Sequence, residues 1–383
     1  MVYIGYAYLV LFDKILIRRE FIMHHVLVIG AGKIGSLIAH LLSHSSHYFV
    51  NLADKQTDTP HFHRLKNLPN FNFVQLNADD VDAISALIKK LHIEAIISSL
   101  PYYCNVTLAQ VAAAHNVHYF DLTEDVQTTQ TIHTIAKHVK SALVPQCGLA
   151  PGVISIIANS LMKNFPELDT VKLRVGALPI NISNALQYSL TWSTDGLINE
   201  YGNLCQAIED GKEVDLLPLE GLEEVKIDGL TYEAFNTSGG VGSLVKTYYG
   251  KVKHLSYKTI RYPGHCAKIK FLMNDLKLNE DRRTLKNIFE RALPKTFQDV
   301  VLVYISVTGT QENQFIEESY VKKFYSKKLD KYRWSAIQFT TASGICTIVD
   351  LVLNNADKYH GFVVQEQFSF DELIGNQFGS YYA

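Results

Sequence analysis

Between His24 and Gln146, short apolar segments of strand length alternate with helical patterns, and few folds accommodate this alternation. Each strand, helix and following strand form a unit in which the two strands lie parallel and the helix packs across them. We therefore predict an α/β fold with a Rossmann-type, doubly wound parallel sheet. The predicted strands are His25–Ile29, Tyr48–Ala53, Phe71–Leu76, Glu94–Ser99, Val117–Asp121 and Ala142–Pro145, and the predicted helices cover 33–43, 80–90, 104–115 and 126–139.

The chain of 383 residues is long enough for a second domain. We predict an N-terminal extension at 1–22, a dinucleotide-binding domain at 23–150 and an α+β substrate and dimerisation domain at 151–333. A long apolar helix then begins the segment 334–383, which we expect to return to the first domain. In the second domain the predicted helix is Val153–Met162, and the predicted strands are Val171–Val175, Tyr188–Trp192, Val225–Ile227 and Val300–Thr308.

A glycine-rich loop joins the first predicted strand to the first predicted helix. Gly30-Ala-Gly32-Lys33-Ile34-Gly35 matches the pattern G-x-G-x-x-G in the context that a dinucleotide requires. The first glycine permits a tight turn, the second admits the pyrophosphate and the third allows close packing of helix on strand. The free N–H groups at the start of the helix would bind the phosphates, so we predict that these residues bind a nicotinamide dinucleotide.

Other cofactor contacts are expected where the following strands end, because ligands of such sheets lie outside the carboxyl ends of the strands. Asp54 follows the second strand, where a carboxylate binds the ribose hydroxyls and repels a 2′-phosphate, so NAD is favoured over NADP. After the third and fourth strands, the expected contacts are Asn77, Ala78 and Asp79 near the adenine and Ser99, Leu100 and Pro101 near the nicotinamide.

Composition and charge exclude several classes of protein. With 36 Lys and Arg against 38 Asp and Glu the net charge is −2, so no overall positive field favours nucleic acid. The apolar run Val2–Ile17 is interrupted by charges and is shorter than a membrane helix, so no membrane partner is expected. Five cysteines without a C-x-x-C pair indicate a cytoplasmic protein. His24-His25 and His61-x-His63 match no metal-binding pattern, and we predict no metal.

Seven short segments together resemble the saccharopine dehydrogenase family, including its lysine 6-dehydrogenase members, from about residue 24 to the end of the chain. The resemblance implies NAD(P)-linked oxidation of a C–N bond of an amino acid in lysine metabolism, in which hydride transfer is followed by hydrolysis of the imine. NADP-preferring members typically have a basic residue after the second strand, so Asp54 favours the NAD-dependent lysine 6-dehydrogenase branch. The segments are Gly30-Ala-Gly-Lys-Ile-Gly35, Ser99-Leu-Pro-Tyr-Tyr103, Tyr119-Phe-Asp-Leu-Thr123, Cys147-Gly-Leu-Ala-Pro-Gly152, Gly176-Ala-Leu-Pro179, Trp192-Ser193 and Arg261-Tyr-Pro-Gly-His265.

Amine oxidation needs a group that holds the amino acid and a base for the ammonium proton. Arg261 is our first candidate for the substrate carboxylate, because a guanidinium binds it with two parallel hydrogen bonds, and Arg174 is the second. The catalytic candidates are Asp121, Tyr102 and His265. Asp121 could instead cap the helix near 126, and Tyr102 could instead serve in packing.

The remaining substrate contacts are expected from small and polar segments. Cys147 and Gly148 follow the sixth strand and would shape the floor of the site, since no step of amine oxidation needs a thiolate. Asn236 and Thr237 match positions that the family uses near the amino acid. Two other hypotheses about the function stay open: a carboxy(nor)spermidine dehydrogenase-like enzyme of polyamine synthesis, and a non-catalytic NAD-binding regulator. A homodimer is expected as the commonest symmetric assembly.

Overall fold

The computed structural model describes residues 23–57 and 64–383, so the predicted extension 1–22 and the residues His61 and His63 lie outside the described residues. A seven-stranded, wholly parallel sheet forms from the predicted strands and one short edge strand, Gly361–Phe362. Its order from that edge is β6, β5, β4, β1, β2 and β3, which is the doubly wound order predicted for the fold. These strands are β1 His24–Ile29, β2 Tyr48–Asp54, β3 Phe71–Gln75, β4 Ala95–Ser98, β5 His118–Phe120 and β6 Ala142–Val144.

Helices cover both faces of this sheet, and their starts follow the local sequence. Asp80 accepts a hydrogen bond from the Ala83 N–H, and Asp125 accepts one from the Thr128 N–H, so each caps a helix. Asp125 therefore does the capping that we considered for Asp121. The helices are α1 Lys33–Ser43, α2 Val81–Leu91, α3 Asn105–His115 and α4 Val126–Ile135, the last followed by a short 3-10 turn.

A second, mixed sheet of eight strands forms the α+β part of the chain. Its order is β10, β11, β12, β7, β13 and β14, with the hairpin of β8 and β9 beside β12, and only β7 and β12 pair in parallel. The strands are β7 Glu167–Pro179, β8 Cys205–Glu209, β9 Lys212–Leu216, β10 Glu223–Ile227, β11 Leu230–Asn236, β12 Val252–Arg261, β13 Asp299–Gln311 and β14 Gln314–Tyr325. The helices between them are α5 Val153–Met162, α6 Thr194–Gly202, α7 Leu244–Tyr248, α8 His265–Lys270 and α9 Arg282–Ala292.

The predicted strand Tyr188–Trp192 is wrong, because this segment joins no sheet. Its apolar side chains, Tyr188 and Leu190, are buried among residues of α6, α8 and α9. The Leu190 N–H donates to the Pro294 carbonyl instead of to a neighbouring strand. Burial against helices thus produced an alternating apolar pattern that resembles that of a strand.

The hairpin of β15 Lys327–Leu329 and β16 Tyr332–Trp334 leads into the long helix α10 Ala336–Leu353. This helix packs on α1 and on β13, so the chain returns to the first sheet as expected. The chain then forms β17, the edge strand Gly361–Phe362, and α11 Phe370–Gly375. The domain boundaries at 150 and 333 remain predictions. The division of the strands between two separate sheets supports them.

Helix α10 is long and apolar enough to cross a membrane by length and composition. However, 83% of its apolar window is buried inside the protein, as expected for a core helix. Ile345 of this helix belongs to one continuous apolar cluster that also holds Val26 of the first sheet and Val303 of the second. The two parts of the chain therefore share a core, and α10 lies within it.

We expect Ile345→Ala to lower the free energy of unfolding by about 2–5 kcal/mol, because the fully buried side chain leaves a cavity that its neighbours cannot fill. The control is Ile288→Ala, on helix α9, where the side chain is 41% exposed. This second change should cost no more than about 0.5 kcal/mol. Urea unfolding followed by circular dichroism measures both, and equal losses in the two variants would contradict the role of α10.

Candidate active site

The glycine loop has the geometry that a pyrophosphate requires. Gly30 adopts φ +104°, and a Cβ on Gly35 would lie 1.9 Å from the Gly30 carbonyl oxygen, so both positions need glycine. A Cβ on Gly32, by contrast, would meet nothing within 4 Å, which leaves open space above the loop. The first hydrogen bond of α1 runs from the Ser36 N–H to the Gly32 carbonyl, so the N–H groups before it are available for phosphate oxygens. These residues fit a dinucleotide.

Asp54 lies against this loop at the end of β2. One of its carboxylate oxygens accepts a hydrogen bond from the Ala31 N–H at 2.7 Å, and the other accepts one from the Gln56 N–H at 2.9 Å. The negative charge is therefore fixed beside the loop, where the adenosine ribose of a dinucleotide would lie.

Lys33 differs from the other loop residues because its side chain extends towards the second part of the chain. Its Nζ donates to the Leu190 carbonyl at 3.2 Å, and burial lowers the pKa of this amine. The Gln338 side-chain amide of α10 in turn donates to the Lys33 carbonyl at 3.2 Å. The backbone N–H of Lys33 thus remains available to a ligand, while its side chain links the first part of the chain to the second.

The predicted contacts after the third and fourth strands differ in exposure. Asn77 and Asp79 are exposed in a turn in which the Asn77 side chain accepts a hydrogen bond from the Asp79 N–H at 3.3 Å. Ser99 fastens the glycine loop, since its hydroxyl donates to the Gly30 carbonyl at 2.8 Å. Ser99, Leu100 and Pro101 also line a cavity next to the loop.

This cavity has a volume of about 260 Å³ and lies between the carboxyl edge of the first sheet and the second sheet. It brings together predicted residues from several distant parts of the sequence, namely Ile34, Ser99, Leu100, Pro101, Tyr102, Gly148 and Arg261. Its wall also contains polar and aromatic residues that were not among the predicted site residues, namely Glu124, Trp192, Ser193, Glu200, Tyr257 and Thr259.

Glu124 and Glu200 are the acidic groups of the cavity wall. Burial is the main cause that raises the pKa of Glu124 to about 7 and that of Glu200 to about 8. For Glu200, the nearby Arg261 charge partly opposes this rise. Neither carboxylate takes part in a salt bridge within residues 23–57 and 64–383. Near neutral pH each can hold or release a proton, as a general acid or base must.

Arg261 is the cation of the cavity wall, at the end of β12. It is 2% exposed, and its guanidinium lies over the Tyr188 and Tyr201 rings, 5.0 and 5.7 Å from their centres. Its Nε donates to the Tyr201 hydroxyl and its Nη1 to the Thr259 hydroxyl, both at 2.9 Å. Its Nη2 makes no hydrogen bond to any residue that the structure describes, which leaves this nitrogen for an anion.

His265 lies behind Arg261 and does not line the cavity, so the structure does not support it as a base. Its Nδ1 donates to the Leu186 carbonyl at 2.7 Å, and its Nε2 accepts a hydrogen bond from the Tyr201 hydroxyl at 3.0 Å. Burial, reinforced by the Arg261 charge, lowers its pKa to about 3. His265 therefore stays neutral and orients Tyr201, which in turn orients Arg261.

Asp121 also lies outside the cavity wall, and its contacts are structural. Its carboxylate accepts hydrogen bonds from the Thr123 and Gln146 N–H groups at 2.9 and 3.0 Å and from the Tyr119 hydroxyl at 2.9 Å. Burial raises its pKa to about 6. Asp121 therefore joins the loops that follow β5 and β6, and the neighbouring Glu124 provides the acid that reaches the cavity.

Of the other predicted substrate residues, only Gly148 contributes to the cavity wall. Cys147 is buried, with its thiol 3.1 Å from the Val144 carbonyl oxygen. Asn236 donates to the Leu217 carbonyl at 3.3 Å, and Thr237 is buried nearby. Arg174, the second candidate for the carboxylate, forms a salt bridge with Glu223. The Cys147, Asn236 and Arg174 side chains are thus committed to internal contacts, whereas the buried Thr237 hydroxyl makes no hydrogen bond to the described residues.

Gly32→Ala should leave the fold intact and weaken dinucleotide binding at least tenfold, about 1.4 kcal/mol, because the added methyl group fits the empty space that the pyrophosphate needs. Gly375→Ala is the matched control, since a Cβ there also meets nothing within 4 Å. Calorimetric titration with NADH and with NADPH measures both variants. Unchanged affinity in Gly32→Ala would contradict this location of the cofactor.

A carboxyl group with a higher pKa in the folded protein than in the unfolded chain binds more protons when folded, so stability falls as the pH rises between the two values. For Glu200 this interval runs from 4.5 to about 8. In Glu200→Gln, the fall in melting temperature across this interval should be smaller than in the unchanged protein. The exposed control Glu209→Gln should behave like the unchanged protein. If the melting temperature of Glu200→Gln fell as much as that of the unchanged protein, this carboxyl group would be ionised across the whole interval.

Comparison with known proteins agrees with this geometry. Residues 26–144 match the family model described as saccharopine dehydrogenase NADP binding domain, and residues 148–378 match the saccharopine dehydrogenase C-terminal domain. The chain resembles apo saccharopine dehydrogenase (L-Glu forming) from Saccharomyces cerevisiae, with a TM-score of 0.73, 14% identity and coverage of 94% of this chain and 96% of that one.

Two further solved structures are more distant. A diaminopimelate (DAP) dehydrogenase from C. glutamicum in complex with DAP has a TM-score of 0.47, 11% identity and coverage of 93% of this chain and 99% of that one. A dipicolinate-bound dihydrodipicolinate reductase from Paenisporosarcina sp. has a TM-score of 0.43, 13% identity and coverage of 90% and 99%. The two family models together span nearly the whole described chain, and the chain therefore belongs to the saccharopine dehydrogenase family of nicotinamide-dinucleotide-binding oxidoreductases.

Proposed function

We propose that the protein oxidises the C–N bond of an amino acid with one carboxylate and two amino groups, as a lysine 6-dehydrogenase does, and that the imine is then hydrolysed. The observation that carries this proposal is the set of ionisable groups in the cavity wall, which consists of one guanidinium, Arg261, and two carboxyl groups, Glu124 and Glu200, that bound ammonium groups would hold ionised. Lysine presents the complementary set, two ammonium groups and one carboxylate.

The same charges discriminate against saccharopine, which carries three carboxylates. One of these could bind Arg261, but the others would have to be placed in a cavity whose remaining charged groups are acidic. Like charges brought together in a buried site are unfavourable, and such repulsion is a common source of specificity. A diamino acid is therefore the better fit.

The residues divide into an anchoring pair and a base. Arg261 would bind the substrate carboxylate through its free Nη2, and Glu200, whose pKa is influenced by the Arg261 charge, would bind the α-ammonium group beside it. Glu124 follows β5 at the carboxyl edge of the first sheet, where the nicotinamide half of a dinucleotide lies. We assign Glu124 to remove the proton from the reacting ammonium group.

When bound, the dinucleotide supplies the hydride acceptor, and the glycine loop holds its phosphates. Glu124 would release the proton taken from the ammonium group to solvent. As a carboxylate it could then take a proton from the water that attacks the imine carbon and pass it to the nitrogen, so that the C–N bond breaks and ammonia leaves. Tyr102 lines the same wall and can donate a hydrogen bond to the reacting nitrogen. The aromatic and apolar residues of the wall, Trp192 among them, limit access of other water.

We propose NAD as the preferred dinucleotide. The Asp54 carboxylate, held beside the loop by the Ala31 N–H, supports this preference because it would repel a 2′-phosphate. The family model that matches the first domain is described as NADP binding, which favours the opposite preference. The comparison of both cofactors is therefore part of the functional experiment.

Two further proposals concern the cellular location and the oligomeric state of the enzyme. We propose a cytoplasmic enzyme, because its five cysteines, all within the described residues, form no disulfide. We propose a homodimer because this is the commonest symmetric assembly.

A carboxy(nor)spermidine dehydrogenase-like activity is the second candidate. The acidic pair Glu124 and Glu200 favours it as well, since a polyamine chain is cationic and a single guanidinium would suffice for its one carboxylate. The cavity wall does not separate this substrate from lysine by charge, so both belong in the same assay.

The test follows the absorbance of reduced nicotinamide with L-lysine, saccharopine and carboxynorspermidine, each with NAD and with NADP. We expect reduction with L-lysine and NAD. Glu124→Gln should then lower kcat by about 10²–10⁴, and Arg261→Gln should mainly raise KM, because the first removes a base and the second a binding group. Glu209→Gln and Arg291→Gln, both at exposed positions, are the matched controls and should keep the activity.

Other results would change the assignment. Reduction with saccharopine alone would overturn the argument from charge, and reduction with carboxynorspermidine alone would favour polyamine synthesis. Binding of the dinucleotide without turnover of any of the three substrates would favour the non-catalytic regulator. Faster reduction with NADP would show that Asp54 does not select the cofactor.

A further inference from the structure

Three potential metal ligands meet at the end of α1 that is remote from the glycine loop. His40 and His44 lie one helical turn apart, and Asp330 reaches them from the turn between β15 and β16. The Asp330 carboxylate oxygen lies 3.5 Å from the His40 Nε2 and 3.8 Å from the His44 Nε2. All three ligand atoms lie within 4.8 Å of one another.

These separations suit a shared metal ion better than direct hydrogen bonds. Hydrogen bonds between nitrogen and oxygen are about 2.7–3.2 Å long, which is shorter than either separation. Ligand atoms about 2.0–2.2 Å from a tetrahedral metal ion, in contrast, lie about 3.3–3.6 Å from one another. Small side-chain rotations would bring all three atoms to these distances.

A backbone contact also turns the Nε2 lone pair of His44 towards the cluster. The His44 Nδ1 lies 2.8 Å from the His40 carbonyl oxygen, which can only accept, so Nδ1 carries the proton and Nε2 keeps its lone pair. This contact fixes the orientation of the ring. Metal-bound histidines commonly make the same kind of hydrogen bond with the ring nitrogen that does not bind the metal.

The third ligand, Asp330, lies in the tight turn between β15 and β16. Asp330 adopts φ +50°, a left-handed conformation that aspartate tolerates in a tight hairpin turn. Its side chain is 63% exposed and that of His44 is 44% exposed, whereas His40 is buried. Solvent therefore reaches one side of the cluster, where water can complete the coordination.

We propose that His40, His44 and Asp330 form a binding site for a divalent transition-metal ion of the zinc class. Two neutral imidazoles and one carboxylate are the ligands that such ions prefer, and the exposed side leaves a fourth position for water. A bound ion would tie α1, which carries the glycine loop, to the hairpin that leads into α10. The prediction of no metal rested on His24-His25 and His61-x-His63. No short sequence pattern contains the present cluster, because Asp330 is far along the chain from His40 and His44.

The experiment titrates the purified full-length protein, after treatment with a chelator, with Co²⁺ alone and records the visible absorption spectrum. We expect saturation at one ion per chain, with the intense bands of a four-coordinate ion. His44→Ala and Asp330→Asn should each weaken binding at least tenfold. His360→Ala, at an exposed histidine outside the cluster, is the matched control and should bind as the unchanged protein does.

A melting curve supplies a second readout, since an ion that binds only the folded state raises the melting temperature. Zn²⁺ should raise the melting temperature of the unchanged protein and of His360→Ala, but not that of Asp330→Asn. Because Asp330 and His44 are partly exposed, their variants should fold, which circular dichroism verifies. Equal Co²⁺ affinity in His44→Ala and the unchanged protein, or binding that His360→Ala abolishes, would overturn the proposal.

Discussion

The burial of α10 between the two sheets is the interaction on which the rest of the structure depends. Its start is fixed from the second sheet, where the buried Asp299 accepts hydrogen bonds from the Ala336 and Ile337 N–H groups at 2.6 and 3.1 Å. In the same first turn, the Gln338 side chain donates to the carbonyl of Lys33 in the glycine loop. The helix therefore sets how far the second sheet stands from the carboxyl edge of the first, and the candidate active site occupies that gap.

Ionisable groups from both parts of the chain line the cavity between the two sheets. Glu124 comes from the first part of the chain and Glu200 and Arg261 from the second, so the group of residues on which we base the proposed substrate exists only when both parts are packed together. Arg261 can be buried because the two tyrosine rings and the chain of hydrogen bonds through Tyr201 to His265 compensate for its desolvation. At Glu124 and Glu200 the cost of burial outweighs the favourable contacts, and for this reason their pKa values are raised.

Local sequence was a good guide wherever local rules decide the structure. The glycine loop, the strands of the first sheet and α5 follow from residue patterns, because turn geometry and the periodicity of apolar residues act over a few positions. The same rules failed at Tyr188–Trp192, whose apolar alternation reflects burial against helices. They also gave no sign that His265 and Asp121, two polar residues in suggestive motifs, make their hydrogen bonds with internal partners.

By itself, then, the sequence determined the α/β architecture, the glycine loop and the family, and it singled out Arg261, which lines the cavity. Only the tertiary structure decided which acids face the cavity and that His40 and His44 meet Asp330. The physical reason is that a side chain's protonation, partners and access to a ligand depend on burial and on neighbours from distant parts of the chain. Glu124 and Glu200 have unremarkable surroundings in the sequence, and their chemistry arises from the desolvation that folding imposes.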